Sequence, residues 1–351
     1  MSTRRHGRAT LLQPLGGGGG GTVWLAELDD HDGLVVYKRF EASLAVDLDD
    51  VVDTALALKG RQLPRVAGII DGGIVRGSAF VASHFVDGVD AARLSSWSIQ
   101  QQRPLGTAQA TAIALDVLEG LSSLHGAGFV HRDLTPANIV VDRDGRATIV
   151  DLDYVCATGT AATSTVPGTL GYLSPEQAQG LPVDGRSDLY AWAIVVTELV
   201  LGVSFFAGID DDEILRRTRT GGHRPSSFVK LPAALRAALD RCLAGDPADR
   251  FVDVAAVRAA LAVPPIEPAT AHRELGVLVA AALDADVVFA DTARQHARLD
   301  VGGEIWPADD VSTSVFRPRE AEGRKGRAAL LVVVTVLVLL ALVAALRLAN
   351  G

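Results

Sequence analysis

From Thr10 to Val86 the hydrophobic positions come in short β-branched runs, such as Leu34–Tyr37 and Ala79–Val86. Runs of that length predict strands, interrupted by one weak helix around Asp49–Leu58. From Thr107 the period changes. Ala108–His125 carries apolar residues at helical spacing and is ended by Gly126 and Gly128, and a further helix is expected at Leu189–Leu201, after Asp188. Within this helical half, Ile139–Val141 and Ala147–Val150 read as the two strands of a hairpin. Asp144-Gly145 stands between them, and Asp-Gly favours a tight turn. Strands first and helices afterwards predict an α+β protein of two lobes, residues 10–86 and 87–262.

Beyond the lobes the pattern changes twice more. Val263–Pro268 holds three prolines and marks a boundary, Ala271–Leu299 predicts an amphipathic helical pair, and Asp300–Arg327 reads as a linker rich in Gly, Pro and charge. Ala328–Leu346 has no charged side chain, and Thr335 is its only hydroxyl. At about 1.5 Å per residue it spans roughly 28 Å, close to the hydrocarbon thickness of a bilayer. A transmembrane helix is therefore expected at 328–348, with 263–327 as a juxtamembrane region and 349–351 as a short external tail. Arg317, Arg319, Arg324, Lys325 and Arg327 precede the apolar run and only Arg347 follows it, which places the preceding residues in the cytoplasm. Residues 1–9, with Arg4, Arg5 and Arg8, are expected to form a disordered basic tail. No apolar core of signal-peptide length follows them.

The net charge of −9 argues against nucleic acid as a partner, because phosphate neutralisation needs a basic surface. Cys156 and Cys242 form neither a CxxC pair nor a metal spacing, so a disulfide or zinc framework is not expected. Lysine is scarce: Lys38, Lys59, Lys230 and Lys325 are the whole set. Where arginine does most of the basic work, a lysine asks for a specific chemical reason.

The chemistry concentrates in His131-Arg132-Asp133-Leu134-Thr135-Pro136-Ala137-Asn138, followed by Asp151-Leu152-Asp153. In these residues the chain resembles the bacterial eukaryotic-like (Hanks-type) serine/threonine protein kinases, and the resemblance runs in order from about Thr10 to Ala262. Phosphoryl transfer asks for positioning and charge neutralisation. Asp133 matches the carboxylate that meets the acceptor hydroxyl. Asn138 and Asp151 match the side chains that hold Mg²⁺ (or Mn²⁺) on the ATP phosphates. Gly16, Gly18 and Gly21 fit G-x-G-x-x-G, with Val23 at the following apolar position. Val36-Tyr37-Lys38 resembles the strand whose lysine pairs the α- and β-phosphates, and Ser83 to Val86, with Phe85, falls at the expected adenine hinge.

The substrate side is represented as well. Gly168-Thr169-Leu170-Gly171-Tyr172-Leu173-Ser174-Pro175-Glu176 resembles the end of a kinase activation segment. The resemblance implies that Thr169 meets the catalytic aspartate, that Glu176 pairs with Arg250, and that Asp188 braces the catalytic loop. Thr158, Thr160, Thr163, Ser164 and Thr165 are candidate autophosphorylation sites. His125 is expected to pack at a helix end and Cys156 to stay a neutral thiol.

Three departures set this chain apart. Thr135 stands where the family has a lysine that steadies the transferring phosphate. Leu152 and Asp153 replace phenylalanine and glycine after the metal-binding aspartate. The helix expected to carry a glutamate partner for Lys38 offers Asp53 as the nearest fit and Asp50 as a weaker one. The resemblance thus implies a bilobal protein-kinase fold and a serine/threonine protein kinase using ATP and Mg²⁺. The apolar run and its basic flank add the expectation of an anchor in the cell membrane with the kinase domain cytoplasmic, and that anchoring in turn favours self-association for autophosphorylation. An alternative reading is a membrane-tethered pseudokinase, a nucleotide-binding signalling scaffold. A small-molecule kinase is disfavoured by the peptide-positioning segment at 168–176.

Overall fold

The computed structural model describes residues 4–18, 21–40, 48–161, 168–261 and 268–297. The first lobe is a six-stranded antiparallel sheet of β1 (Arg4–His6), β2 (Ala9–Gly18), β3 (Gly21–Leu28), β4 (Leu34–Phe40), β5 (Ile69–Val75) and β6 (Ser78–His84), in the order β1-β2-β3-β4-β6-β5. One face buries Ala9, Leu11, Ala26, Val35, Tyr37 and Ala82, with Trp24, Leu28, Ile70 and Phe80 packed against them. Because side chains alternate along a strand, Val36 and Lys38 point to the other face. Helix α1 (Leu48–Leu58) packs along β5 and β6, with Ala55 and Leu58 buried. The basic tail is not wholly disordered as expected: Arg4–His6 pairs with Ala9–Leu11, and His6 Nδ1 hydrogen-bonds the buried Tyr37 hydroxyl at 2.7 Å.

The second lobe contains β7 (Gly88–Asp90), α2 (Ala91–Gln100), α3 (Thr107–Gly126), β8 (Phe129–Val130), β9 (Ile139–Asp142), β10 (Ala147–Ile149), β11 (Cys156–Ala157), α4 (Pro175–Ala178), α5 (Gly185–Leu201), α6 (Asp211–Thr220), α7 (Ala233–Cys242), α8 (Val254–Ala260) and α9 (Pro268–Ala297). The expected hairpin is β9–β10, with Val141 opposite Ala147. Helix α5 runs through the core, and every residue from Ser187 to Thr197 is buried. It begins earlier than expected, because the Asp184 side chain accepts from the Arg186 amide and caps the helix there, which puts Asp188 inside its first turn.

The amphipathic pair expected after 271 is one helix. Ala271, Leu275, Val279 and Ala282 of α9 are buried in the core of this lobe, so its packing extends past residue 262. The contact is also polar. Asp116 on α3 accepts from the Ala147 amide at 2.9 Å and lies 3.2 Å from both Arg146 and His272. Gly276 presses α9 against the β9–β10 turn, where a Cβ would overlap the Arg143 carbonyl. Gly276→Ala therefore separates two effects. Helix propensity alone would raise stability by about 0.5–1 kcal/mol. The steric overlap is expected to prevail and lower stability by about 1–3 kcal/mol in urea denaturation.

Among the described residues no helix is long and apolar enough to cross a membrane. Residues 328–348, expected to span one, lie outside the described residues, as do 298–327 and 349–351.

Candidate active site

The site begins with the loop between β8 and β9. Asp133 is 2% exposed, and both of its oxygens accept hydrogen bonds. Oδ1 accepts from the Thr169 amide at 2.8 Å and the Thr169 hydroxyl at 2.7 Å, and Oδ2 accepts from Asn138 Nδ2 at 3.1 Å. Burial first, and then the charge of Asp151, raise the proton affinity of Asp133. Asp188, buried at the start of α5, holds the loop from behind. It accepts from the backbone amides of His131 and Arg132, each at 2.9 Å, and hydrogen-bonds His125 Nε2 at 2.7 Å. His125 thus sits at the end of α3 as a brace. Because Asp188 satisfies two adjacent amides at once, it fixes the backbone immediately before Asp133.

Hairpin β9–β10 returns the chain to the cleft. The Val150 amide donates to the Asn138 carbonyl at 2.9 Å, which ties the residue before Asp151 to the catalytic loop. Asp151 has a left-handed backbone, φ 60°, and its carboxylate meets Lys38 Nζ at 3.0 and 3.2 Å. Lys38 also forms an ion pair with Asp153. Burial works against the charge on Lys38, but Asp151 and Asp153 outweigh it and hold the ammonium charged. Burial likewise opposes the Asp151 carboxylate, yet Lys38 keeps it below the usual carboxylate range. Asp153 is pushed well up, by burial and then by the adjacent Asp151 charge.

The sheet supplies the roof. Val23 on β3 pairs with Lys38 on β4, so the two side chains are cross-strand neighbours. Gly16 pairs with Val23, and Gly18 pairs with Gly21 at the tip of the β2–β3 hairpin. Gly21 lies so close to β4 that a Cβ would overlap the Arg39 carbonyl, so this position admits no side chain without moving a strand. Ser83 pairs with Val36 near the end of β6, and half-buried Phe85 follows between the lobes. The Asp53 expectation is corrected. Asp53 is exposed on α1, and the carboxylates against Lys38 are those of Asp151 and Asp153.

The activation segment closes the front. β11 pairs with β8, which leaves Thr158 and Thr160 exposed just beyond; Thr163, Ser164 and Thr165 lie outside the described residues. Cys156 is buried, and that burial raises its thiol pKa and keeps it neutral. Past Thr169, Glu176 forms a two-pronged ion pair with Arg250, both contacts at 2.8 Å. Gln177 donates to the Arg132 carbonyl at 2.7 Å, a link that sequence reading missed.

Residues 9–260 match the protein kinase domain family. The chain belongs to that family. It is 32% identical over 268 residues to the serine/threonine-protein kinase PkaB of Streptomyces coelicolor, covering 72% of this chain and 62% of that one. It is also 32% identical over 280 residues to the serine/threonine-protein kinase PknE of Mycobacterium tuberculosis, covering 76% and 48%. The chain thus aligns with less than two thirds of the length of these relatives. The fold matches the crystal structure of the Mycobacterium tuberculosis PknI kinase domain with a TM-score of 0.57 and 25% identity, covering 78% of this chain and 98% of that one.

As a protein kinase domain, the chain has a donor set that fits the family's nucleotide and cation. Asn138 commits Nδ2 to Asp133, which leaves Oδ1 as the atom able to ligate a cation. Asp151 stays ionised, and the Val150–Asn138 bond keeps it beside the catalytic loop. Lys38 supplies a fixed positive charge under the glycine hairpin. Asp153, which sequence reading took only as a departure, stands against Lys38. The available signal was an acid two positions after Asp151 together with the absence of a glutamate on α1.

Proposed function

We propose that this kinase domain transfers the γ-phosphate of ATP to serine and threonine hydroxyls of proteins, its own activation segment included, at the cytoplasmic face of a membrane. The observation that carries the reading is Asp133, buried and held at both oxygens within one network with Thr169 and Asn138. An acceptor hydroxyl beside Thr169 donates its hydrogen bond to Asp133. Its oxygen forms the new bond to phosphorus, the bridging P–O bond breaks, and ADP leaves with the electron pair. The hydroxyl proton passes to the Asp133 side, where the raised proton affinity favours its acceptance. Lys38 orients the phosphates it touches. Asn138 and Asp151 would hold Mg²⁺, which would supply positive charge to offset that of the phosphates.

The membrane reading is supported by the uncharged run 328–346 and the basic residues before it. Confinement to a surface raises the local concentration, so one copy can present its Thr158–Thr165 segment to another. The scaffold alternative draws on Thr135, a buried hydroxyl at the position where the family resemblance implies a lysine. The test incorporates the full chain into phospholipid vesicles with radiolabelled ATP and Mg²⁺. Label should appear on the chain, map to Thr158–Thr165, and accumulate faster per molecule as surface density rises. Nucleotide binding without any label would support the scaffold instead.

A further inference from the structure

Resting on the kinase reading, we propose that Asp153 is the positioning residue for Lys38, doing from the metal-binding turn what a glutamate on α1 does elsewhere in the family. Helix α1 carries no glutamate, its acids are Asp49, Asp50 and Asp53, and Asp53 is exposed. The Asp153 side chain is only 10% exposed and ion-paired with Lys38 Nζ, itself 16% exposed. Its backbone is also anchored. Arg132 Nε donates to the carbonyl of the next residue, Tyr154, and the Val155 amide closes a turn onto the Leu152 carbonyl at 3.3 Å. The carboxylate is therefore presented from a turn bolted to the catalytic loop.

Two consequences follow from that placement. Lys38 faces two carboxylates, so when Asp151 is committed to a cation, Asp153 remains to hold the ammonium in place. The register of Lys38 is then set by the same turn that carries Asp151, and the orientation of α1 loses its control over the lysine. The aspartate at a glycine position is thus a compensation for the missing helix glutamate.

The experiment compares Asp153→Asn, Asp153→Gly and Asp153→Glu with Asp53→Ala in the full chain, reading kcat, KM for ATP, melting temperature and Lys38 acetylation. Acetylation is read by mass spectrometry after trace labelling of the nucleotide-free protein with acetic anhydride. Asp153→Asn and Asp153→Gly should lower kcat roughly 10- to 100-fold, the range expected when a catalytic group is misplaced by about 1 Å. They should raise Lys38 labelling and leave the melting temperature near that of wild type. Asp153→Glu, which keeps a carboxyl group within reach of Lys38, should recover much of the rate and protect Lys38 again. Asp53→Ala should change neither reading. The proposal is overturned if Asp153→Gly is as active as wild type with unchanged Lys38 labelling, or if Asp53→Ala exposes Lys38 as Asp153→Asn does. Failure of the wild type to transfer phosphate would count against the kinase reading alone, because the labelling still reports the pairing.

Discussion

Asp133→Asn is expected to lower phosphoryl transfer by about 10²- to 10⁴-fold, the usual contribution of a positioned acid–base group, without unfolding the protein. The substitution keeps the shape and one acceptor oxygen, so Thr169 can still donate to it. It removes the negative charge that receives the hydroxyl proton. It also places an amide NH₂ opposite Asn138 Nδ2, where two donors face each other and Asn138 loses its 3.1 Å bond. The effect on stability should be small because two contributions oppose. Burial already disfavours the Asp133 charge, so its removal relieves desolvation while a hydrogen bond is lost. Nucleotide affinity depends on Lys38 and the glycine hairpin, and should change little. Steady-state transfer to a generic basic protein, with nucleotide binding measured in parallel, reads both quantities. A variant that keeps more than a tenth of the wild-type rate would remove Asp133 from the chemistry.

The parts of this site that the sequence revealed are those fixed by spacing along the chain. Asp133, Asn138 and Asp151 lie on a short loop and a tight hairpin, so a turn signal at Asp144-Gly145 suffices to bring them together. The Glu176–Arg250 pair spans 74 positions and was legible only through resemblance. The partner of Lys38 was not legible. Local reading ranked acids on α1 by position, whereas the ion pair depends on how the Asp151 turn folds across the cleft from β4. The start of α5 was missed for another reason. Gly185 is a poor helix former, and only the Asp184 cap moves the start of the helix ahead of Asp188. In α9, where a pair of helices was expected, Gly276 permits a close approach to the β9–β10 turn within one continuous helix. Propensity describes a residue in isolation, and in these cases a cap or a partner distant in sequence decided the outcome.

Glu176→Gln is expected to cost about 3–5 kcal/mol of stability at neutral pH, the range for breaking a buried ion pair from one side. The Arg250 side chain is fully buried, and its guanidinium also donates to the carbonyls of Ala244, Arg186 and Gly245 at 2.9, 2.9 and 3.2 Å. Those bonds hold the cation in place and do not neutralise it. Removing the Glu176 charge therefore leaves an uncompensated cation in the core, between the activation segment and the start of α5. It also weakens the bond from the Ser187 hydroxyl to Glu176, which ties the activation segment to the first turn of α5 beside the Asp184 cap. The pH dependence carries a definite sign. Burial opposes the Glu176 carboxylate, but Arg250 outweighs it and holds the folded pKa below 4.5. A depressed folded pKa contributes stability that is present above the unfolded value and lost as pH falls through the folded one. The gap between wild type and Glu176→Gln should accordingly stay constant from about pH 8 to 5 and shrink below about 4.5. Urea denaturation of both proteins across that range measures the gap directly. Glu176→Gln/Arg250→Met, which removes both charges, should recover part of the loss, because no uncompensated cation is then left in the core. A gap that is small at pH 7, or that widens in acid, would show that the pair contributes little to holding the activation segment on the lobe.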